Sequence, residues 1–339
     1  MYDRSQHPQA TVDVAGIGNA LVDALVVMDE RALLTSHGLA RGHMTLVDHE
    51  RWQAIFRQVQ PHGTEIQSGG SGANTIAALG FLGAKATFCG HVGEDQFGQL
   101  YASRLKEACG DHDLRWTRGA NTGKCLSIIS SHDAERTMLT DLGAAVQMPA
   151  LGDFDDTLRT SRMLHVEGYL LHPGPMAERA REAIAIAVQQ QIPVSLDAAD
   201  PSVVASQRGP LWEIIEEMCD VVFLNEEEAC TLCESDVATS LDRLSEAVRT
   251  VVVKLGRRGS VVRHEGKTYE IGVHPVTARD TTGAGDAYAA GFLYGYIHGW
   301  DPARAADLGA RVASLTVGQV GAVVRDRAAM QAALRAVTG

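Results

Sequence analysis

Long apolar runs are missing from this chain. None approaches the roughly 20 uncharged apolar residues that a membrane-spanning helix needs, and the amino-terminal stretch, with Asp3, Arg4 and His7 ahead of Thr11, has no apolar core of the kind a secretory leader carries. A cytoplasmic protein is expected. Basic residues are also scarce. The 30 Lys and Arg against 42 Asp and Glu leave a formal charge of −12, which argues against a broad surface for nucleic acid or an anionic membrane. Any phosphate site must therefore be locally basic. Cysteines are few and scattered: Cys89, Cys109, Cys125 and Cys219 stand alone, and Cys230 and Cys233 form one CxxC without a second cluster. Neither a zinc centre nor a disulfide framework is supported, and a pair inside an expected helix reads first as packing cysteines. Two nucleotide signatures are missing too. No Gly-x-x-x-x-Gly-Lys-[Ser/Thr] occurs, which excludes a P-loop enzyme in its usual form, and Gly16-Ile17-Gly18 lacks the third glycine of a dinucleotide fingerprint.

What is present is a globular composition, 45% hydrophobic with 34 glycines over 339 residues, long enough for a large core. Short β-branched runs alternate with helical segments. Val12 to Gly18, Ala86 to Gly90, Met163 to Val166, Ile192 to Leu196, Val221 to Leu224 and Thr250 to Leu255 read as buried strands; Pro175 to Gln191, Asn225 to Cys233 and Gly283 to His298 read as helices. The alternation implies an α/β fold with a mostly parallel sheet covered by helices on both faces, and such sheets place ligands at the carboxyl ends of their strands. Two segments break the rhythm, and one of them, with Cys125 to Ser130 and Thr137 to Thr140 around His132-Asp133-Ala134-Glu135, reads as a hairpin. The expected organisation is a large unit of residues 1–18, 65–112 and 142–339, with a small discontinuous β lid of residues 19–64 and 113–141.

The most informative stretch is Asp280-Thr281-Thr282-Gly283-Ala284-Gly285-Asp286, running directly into a helical apolar pattern. A small-residue turn opening a helix presents unpaired N–H groups where the helix dipole favours negative charge, so it forms an anion hole. Asp286 is the titratable residue of that first turn, a hydrogen bond away from whatever attacks the bound anion. Anion hole and carboxylate together indicate phosphoryl transfer to an alcohol; an ordinary glycine-capped helix is the plainer alternative. Gly69-Gly70-Ser71-Gly72-Ala73-Asn74 is a second glycine loop, suited to close backbone approach to a ligand, and Asn19 and Asp23 leave the first strand with groups able to bind vicinal hydroxyls. Arg136, in the lid hairpin, could bring a guanidinium to a phosphoryl group when the lid closes.

These motifs resemble the signatures of the ribokinase-like (PfkB) carbohydrate kinases, at both ends of the chain and in the expected order. The resemblance implies ATP as donor and roles for particular residues. Asp286 would be the base, with Gly283, Ala284, Gly285 and Arg136 stabilising the transferred phosphate; Gly69, Gly70, Asn74, Asn19 and Asp23 would hold the acceptor. Asn225 and Glu228 would order Mg²⁺ through water, although acids in a helix's first turn also serve as caps. Gly256, Gly259 and Thr282 would bind the nucleotide. K⁺ is a further candidate at Asp280 and the backbone near Gly321, but Arg325 stands where a small polar residue is expected, which leaves that ion open. The runs Gly18 to Asp23, Asp29 to Asp48, Thr122 to Cys125 and Glu135 to Ala145 are most similar to the adenosine-kinase branch, with Tyr169 placed to stack on a base. A nucleoside 5′-hydroxyl is then the expected acceptor. The acidic run Asp197-Ala198-Ala199-Asp200 keeps a ketose, hexose or 2-keto-3-deoxy sugar-acid kinase as the alternative, and a catalytically silent nucleoside or sugar sensor is the alternative of another class. Monomer and homodimer both remain open.

Overall fold

A computed structural model describes residues 10–133 and 135–338. Residues 1–9 of the expected large unit, Ala134 of the expected hairpin turn and Gly339 lie outside the described residues. In chain order the strands are β1 (Val14–Ile17), β2 (Leu21–Met28), β3 (Met44–Leu46), β4 (Glu65–Gly69), β5 (Ala86–Cys89), β6 (His91–Gly93), β7 (Arg115–Thr117), β8 (Gly123–Ser130), β9 (Arg136–Asp141), β10 (Leu164–Glu167), β11 (Val194–Asp197), β12 (Val221–Asn225), β13 (Thr250–Lys254), β14 (Ser260–His264) and β15 (Lys267–Ile271).

Eight of these form one sheet in the order β15-β14-β13-β12-β11-β10-β1-β5. Every neighbouring pair from β5 to β13 is parallel, and β14 and β15 add an antiparallel edge. Unbroken Val, Ile and Leu runs suit strands buried on both faces, and alternate residues here enter two different cores. Val221 and Phe223 of β12 pack with the helices Ser71–Leu82 and Ala284–Ile297, whereas Val222 and Leu224 pack with Pro175–Gln189 and Glu226–Cys233. The doubly covered parallel sheet is the fold that the alternation implied.

A second sheet has the order β3-β9-β8-β2-β4. One face, bearing Ala24, Val26, Leu126, Ile128 and Leu139, is closed by Trp52, Ile55 and Val59 of the helix His49–Val59 and by Leu34 of Arg31–His37. The period of two along each strand puts Asp23, Val27, Ile129, Arg136 and Met138 on the other face, together with Met44 and Leu46 of the edge strand.

The boundaries of the small unit differ from the sequence reading. Glu65–Gly69, assigned to the large unit, is hydrogen-bonded to β2 and belongs to the second sheet; its lone apolar Ile66 among polar neighbours gives little strand signal, and the ladder to β2 decides. Conversely, β7, assigned to the lid, pairs with β6 in a separate two-stranded ribbon. No helix among the described residues is long and apolar enough to cross a membrane.

Candidate active site

Because β1, β10, β11, β12 and β13 run parallel, their carboxyl ends meet at one edge. Asn19 follows β1 there, and Glu167, Asp197, Asn225 and Lys254 are the last residues of the other four strands. The helix Ala284–Ile297 starts at the same edge. Its N-cap, Gly283, has φ +71°, and a Cβ on it would lie 2.5 Å from the carbonyl oxygen of Ala322, so only glycine fits. No side chain caps this helix; the Ala284 N–H donates to the Thr281 carbonyl at 3.3 Å, and those of Gly283 and Gly285 are left to an anion.

Asp286 lies in that first turn. Its Oδ1 accepts from Ser71 Oγ at 2.8 Å and its Oδ2 from Asn74 Nδ2 at 2.9 Å, so the two glycine motifs, 215 residues apart between Ser71 and Asp286, build one constellation. Burial raises its pKa to about 6, with the Asn74 bond pulling down and the Asp197 carboxylate pushing up. A carboxylate with this value, oriented at both oxygens, can accept a proton near neutral pH. Asn74, expected to touch the acceptor, is bonded to Asp286, and Ser71 is a positioning residue that the sequence reading did not single out.

Glu167 was also missed. It is 1% exposed and accepts from the backbone N–H of Asn19 at 3.1 Å and of Gly72 at 2.5 Å, tying the acceptor loops together. Burial raises its pKa to about 7 against the pull of those two bonds. A carboxylate ending an apolar strand was the available signal. Beside it, Asn19 Oδ1 is buried and has no hydrogen-bond partner among the described residues. Asp23 lies against Gly69, where a Cβ would fall 2.1 Å from its Oδ2; burial lifts Asp23 to about 7, opposed by Arg136 and reinforced by Asp286. Gly70 likewise leaves room for the carbonyl of Asn19, 2.3 Å from where its Cβ would be.

Arg136 reaches the rim of the anion hole. Its guanidinium donates to Asp280 Oδ1 at 2.7 Å and to the Thr282 hydroxyl. Asp280 also accepts from Thr282 N at 2.9 Å and Gly321 N at 3.0 Å. Asp280, the residue suggested for K⁺, is thus ion-paired with a guanidinium. Thr282, expected at the nucleotide, is part of the same cluster. Arg325, the residue that left K⁺ open, pairs with Glu107 on the surface.

On the opposite side, Asn225 and Glu228 form a reciprocal capping box: Glu228 N donates to Asn225 Oδ1 at 2.8 Å and Asn225 N to Glu228 Oε2 at 2.7 Å. Glu228 is nevertheless buried, and burial with Asp197 lifts its pKa to about 7. Among the described residues no three His, Cys, Asp or Glu side chains are arranged to hold a metal by themselves. Gly256 and Gly259, both at positive φ, shape the turn after β13. Asp197 and Asp200 have local tasks: Asp197 accepts from Lys254 Nζ at 2.8 Å, and Asp200 caps the helix Pro201–Ser206 through Ser202 N at 2.8 Å. Tyr169, 37% exposed, lies just past β10; partial burial and the carboxylates of Asp200, Glu167, Asp286 and Glu228 hold its hydroxyl above the usual range. Cys230 and Cys233 are free thiols whose pKa values burial raises, as packing cysteines would show.

Residues 42–327 match the profile described as pfkB family carbohydrate kinase. The chain is 31% identical to an adenosine kinase from Sinorhizobium meliloti of solved structure, with a TM-score of 0.87 covering 96% of this chain and 99% of that one. It is 26% identical to the adenosine kinase of Saccharomyces cerevisiae over 92% of this chain and 96% of that protein. It is 29% identical to the 5-dehydro-2-deoxygluconokinase of Geobacillus thermodenitrificans over 74% and 78% of the two.

Proposed function

The chain belongs to the pfkB family of carbohydrate kinases, and from that premise we propose that this ATP-dependent kinase phosphorylates the 5′-hydroxyl of a nucleoside, adenosine first. The observation that carries the nucleoside reading is the lid face turned to the site. Beyond Asp23 and Arg136 it presents Val27, Met44 and Leu46, exposed by 61, 50 and 57%, with Ile129 and Met138 between them. Such a strip lacks a partner among the described residues, and a flat purine would cover it, whereas a free sugar offers no apolar surface of that size. Tyr169 would meet the base from the large unit, and the second sheet would act as the lid.

In this reading Asn19 Oδ1 and Asp23 grip the ribose hydroxyls, and Asp286, held by Ser71 and Asn74, accepts the proton of the attacking 5′-hydroxyl. The turn Gly283-Ala284-Gly285 receives the phosphoryl charge on its backbone N–H groups, assisted from the rim by Arg136. Gly256 and Gly259 let the chain turn beneath the nucleotide. Glu228, braced by Asn225, fits Mg²⁺ held through water, because burial and Asp197 raise its pKa against the pull of Lys254, and a further cation would favour its charged form. When bound, that ion neutralises phosphate charge. The six cysteines, all free and three of them buried, suit the reducing cytoplasm.

A sugar-acid kinase is the second reading, carried by the gluconokinase relative. A sugar carboxylate needs a cation at the acceptor end, whereas Arg136 and Lys254, paired with Asp280 and Asp197, stand at the phosphoryl end in this reading. A silent sensor would have no use for a doubly oriented base. An ADP-release assay across adenosine, inosine, guanosine, cytidine, ribose, fructose and 2-keto-3-deoxygluconate should give adenosine the highest kcat/KM. A winner among the last three would overturn the nucleoside reading.

A further inference from the structure

The phosphate end of the site is crowded with carboxylates: Asp197, Glu228 and Asp286 surround the place where an anionic nucleotide must sit. Amid them lies the side chain of Lys254, 17% exposed. Lys254 ends β13 opposite Asn225 of β12, and its Nζ lies 2.8 Å from Asp197 Oδ2. The ammonium runs beneath the first turn of the helix Ala284–Ile297, where a Cβ added to Gly285 would fall 3.0 Å from Nζ. The small residue therefore leaves the path between cation and anion hole open. Burial works against the charge, but Asp197, Glu228 and Asp286 outweigh it and keep the amine protonated, with its pKa above the ordinary value.

We propose that Lys254 is a catalytic cation of the anion hole, its ammonium contacting the transferring phosphoryl group from beneath Gly285 while Asp197 holds it in place. The inference rests on the kinase reading. In the transfer, a bond forms between the acceptor oxygen and the γ-phosphorus as the bond to the bridging oxygen of ADP breaks, and that electron pair stays on ADP. The acceptor proton passes to Asp286. Lys254 gives up no proton; it balances charge on the oxygens of the group in flight, which the surrounding carboxylates would otherwise repel.

Lys254→Met should lower kcat by roughly 10²–10³-fold, the usual loss for one preorganised charge-stabilising donor, while ADP affinity stays within a few-fold. Melting temperature provides a readout that needs no acceptor. ADP with aluminium fluoride, which imitates the group in flight, should raise the wild-type value beyond ADP alone, and Lys254→Met should lose that increment. Removing Lys254 also strands Asp197, so the single variant should melt earlier. The double variant Lys254→Met with Asp197→Asn should recover the melting temperature without recovering turnover, since deleting both partners of a buried pair costs far less than deleting one. Recovery of turnover in the double variant, a single variant within threefold of wild-type kcat, or an intact fluoride increment would each reduce Lys254 to a structural ion pair. Failure of the kinase reading has a separate sign, a wild type that releases no ADP with any acceptor.

Discussion

Replacing Asp286 by Asn should make the protein more stable and nearly inactive. A carboxyl held at about 6 rather than 3.8 keeps its proton roughly 3 kcal/mol more tightly in the folded state, a ceiling that solvent at the partly open side chain reduces to about 1–2 kcal/mol. Because the folded pKa is raised, this contribution is fully present below pH 3.8 and is lost as the pH climbs through about 6. Above that, the fold carries an ionised group that burial disfavours. The amide carries no charge, and both hydrogen bonds can survive, its oxygen accepting from Asn74 and its nitrogen donating to the Ser71 hydroxyl. Melting at pH 8 should therefore rise by a few degrees at most, with the difference shrinking toward pH 5. Turnover should fall at least 10²-fold, the lower end of a general base's contribution, and wild-type turnover should decline as the pH drops below about 6. Calorimetry at the two pH values and steady-state ADP release measure both. A variant retaining more than a tenth of wild-type turnover, or one that melts earlier at pH 8, would refute the assignment of Asp286 as a buried base.

Arg136→Ala should lower kcat more than it raises the acceptor KM, because the guanidinium stands at Asp280 and Thr282 on the anion-hole rim; unchanged turnover in steady-state kinetics would return it to a merely structural tie. Glu167→Gln should raise the acceptor KM about 10- to 100-fold with little change in the KM for ATP. An amide can accept from only one of the two N–H groups that Glu167 bridges, and hydrogen bonds to a charged group are worth about 1.5–3 kcal/mol. Equal loss with both substrates would mean a general loosening of the loops.

The parallel sheet was legible because its strands are continuous apolar runs, and the anion hole because a turn of small residues leads straight into a helix. The second sheet was legible only in part. Its hairpin alternates clearly, but Glu65–Gly69 carries one apolar residue in five, and nothing local distinguishes it from loop; its place comes from pairing with β2. Site residues fared likewise. Asp286 sits in a motif, so its neighbourhood could be read along the chain, whereas Glu167 and Ser71 act through partners 95 and 215 residues away. Asn74 was found by its motif, but its bond to Asp286, 212 residues away, could not be read along the chain.

Those distant partners also change the weight of the sugar-acid alternative. It drew on the acidity of Asp197 to Asp200, as though these side chains waited for a hydroxylated ligand. In the folded chain Asp200 is spent on capping a helix and Asp197 on holding Lys254, so neither is free for an acceptor, and a sugar acid would in any case need positive charge. The same pairing accounts for how an acidic cleft can take up a nucleotide. Asp197 is one carboxylate that keeps one ammonium charged and aimed under Gly285, while the remaining carboxylates, Asp23, Glu167, Glu228 and Asp286, are held at raised pKa values of about 6 to 7. Asp286, oriented by Ser71 and Asn74, is the one of these carboxylates placed to take up the acceptor's proton.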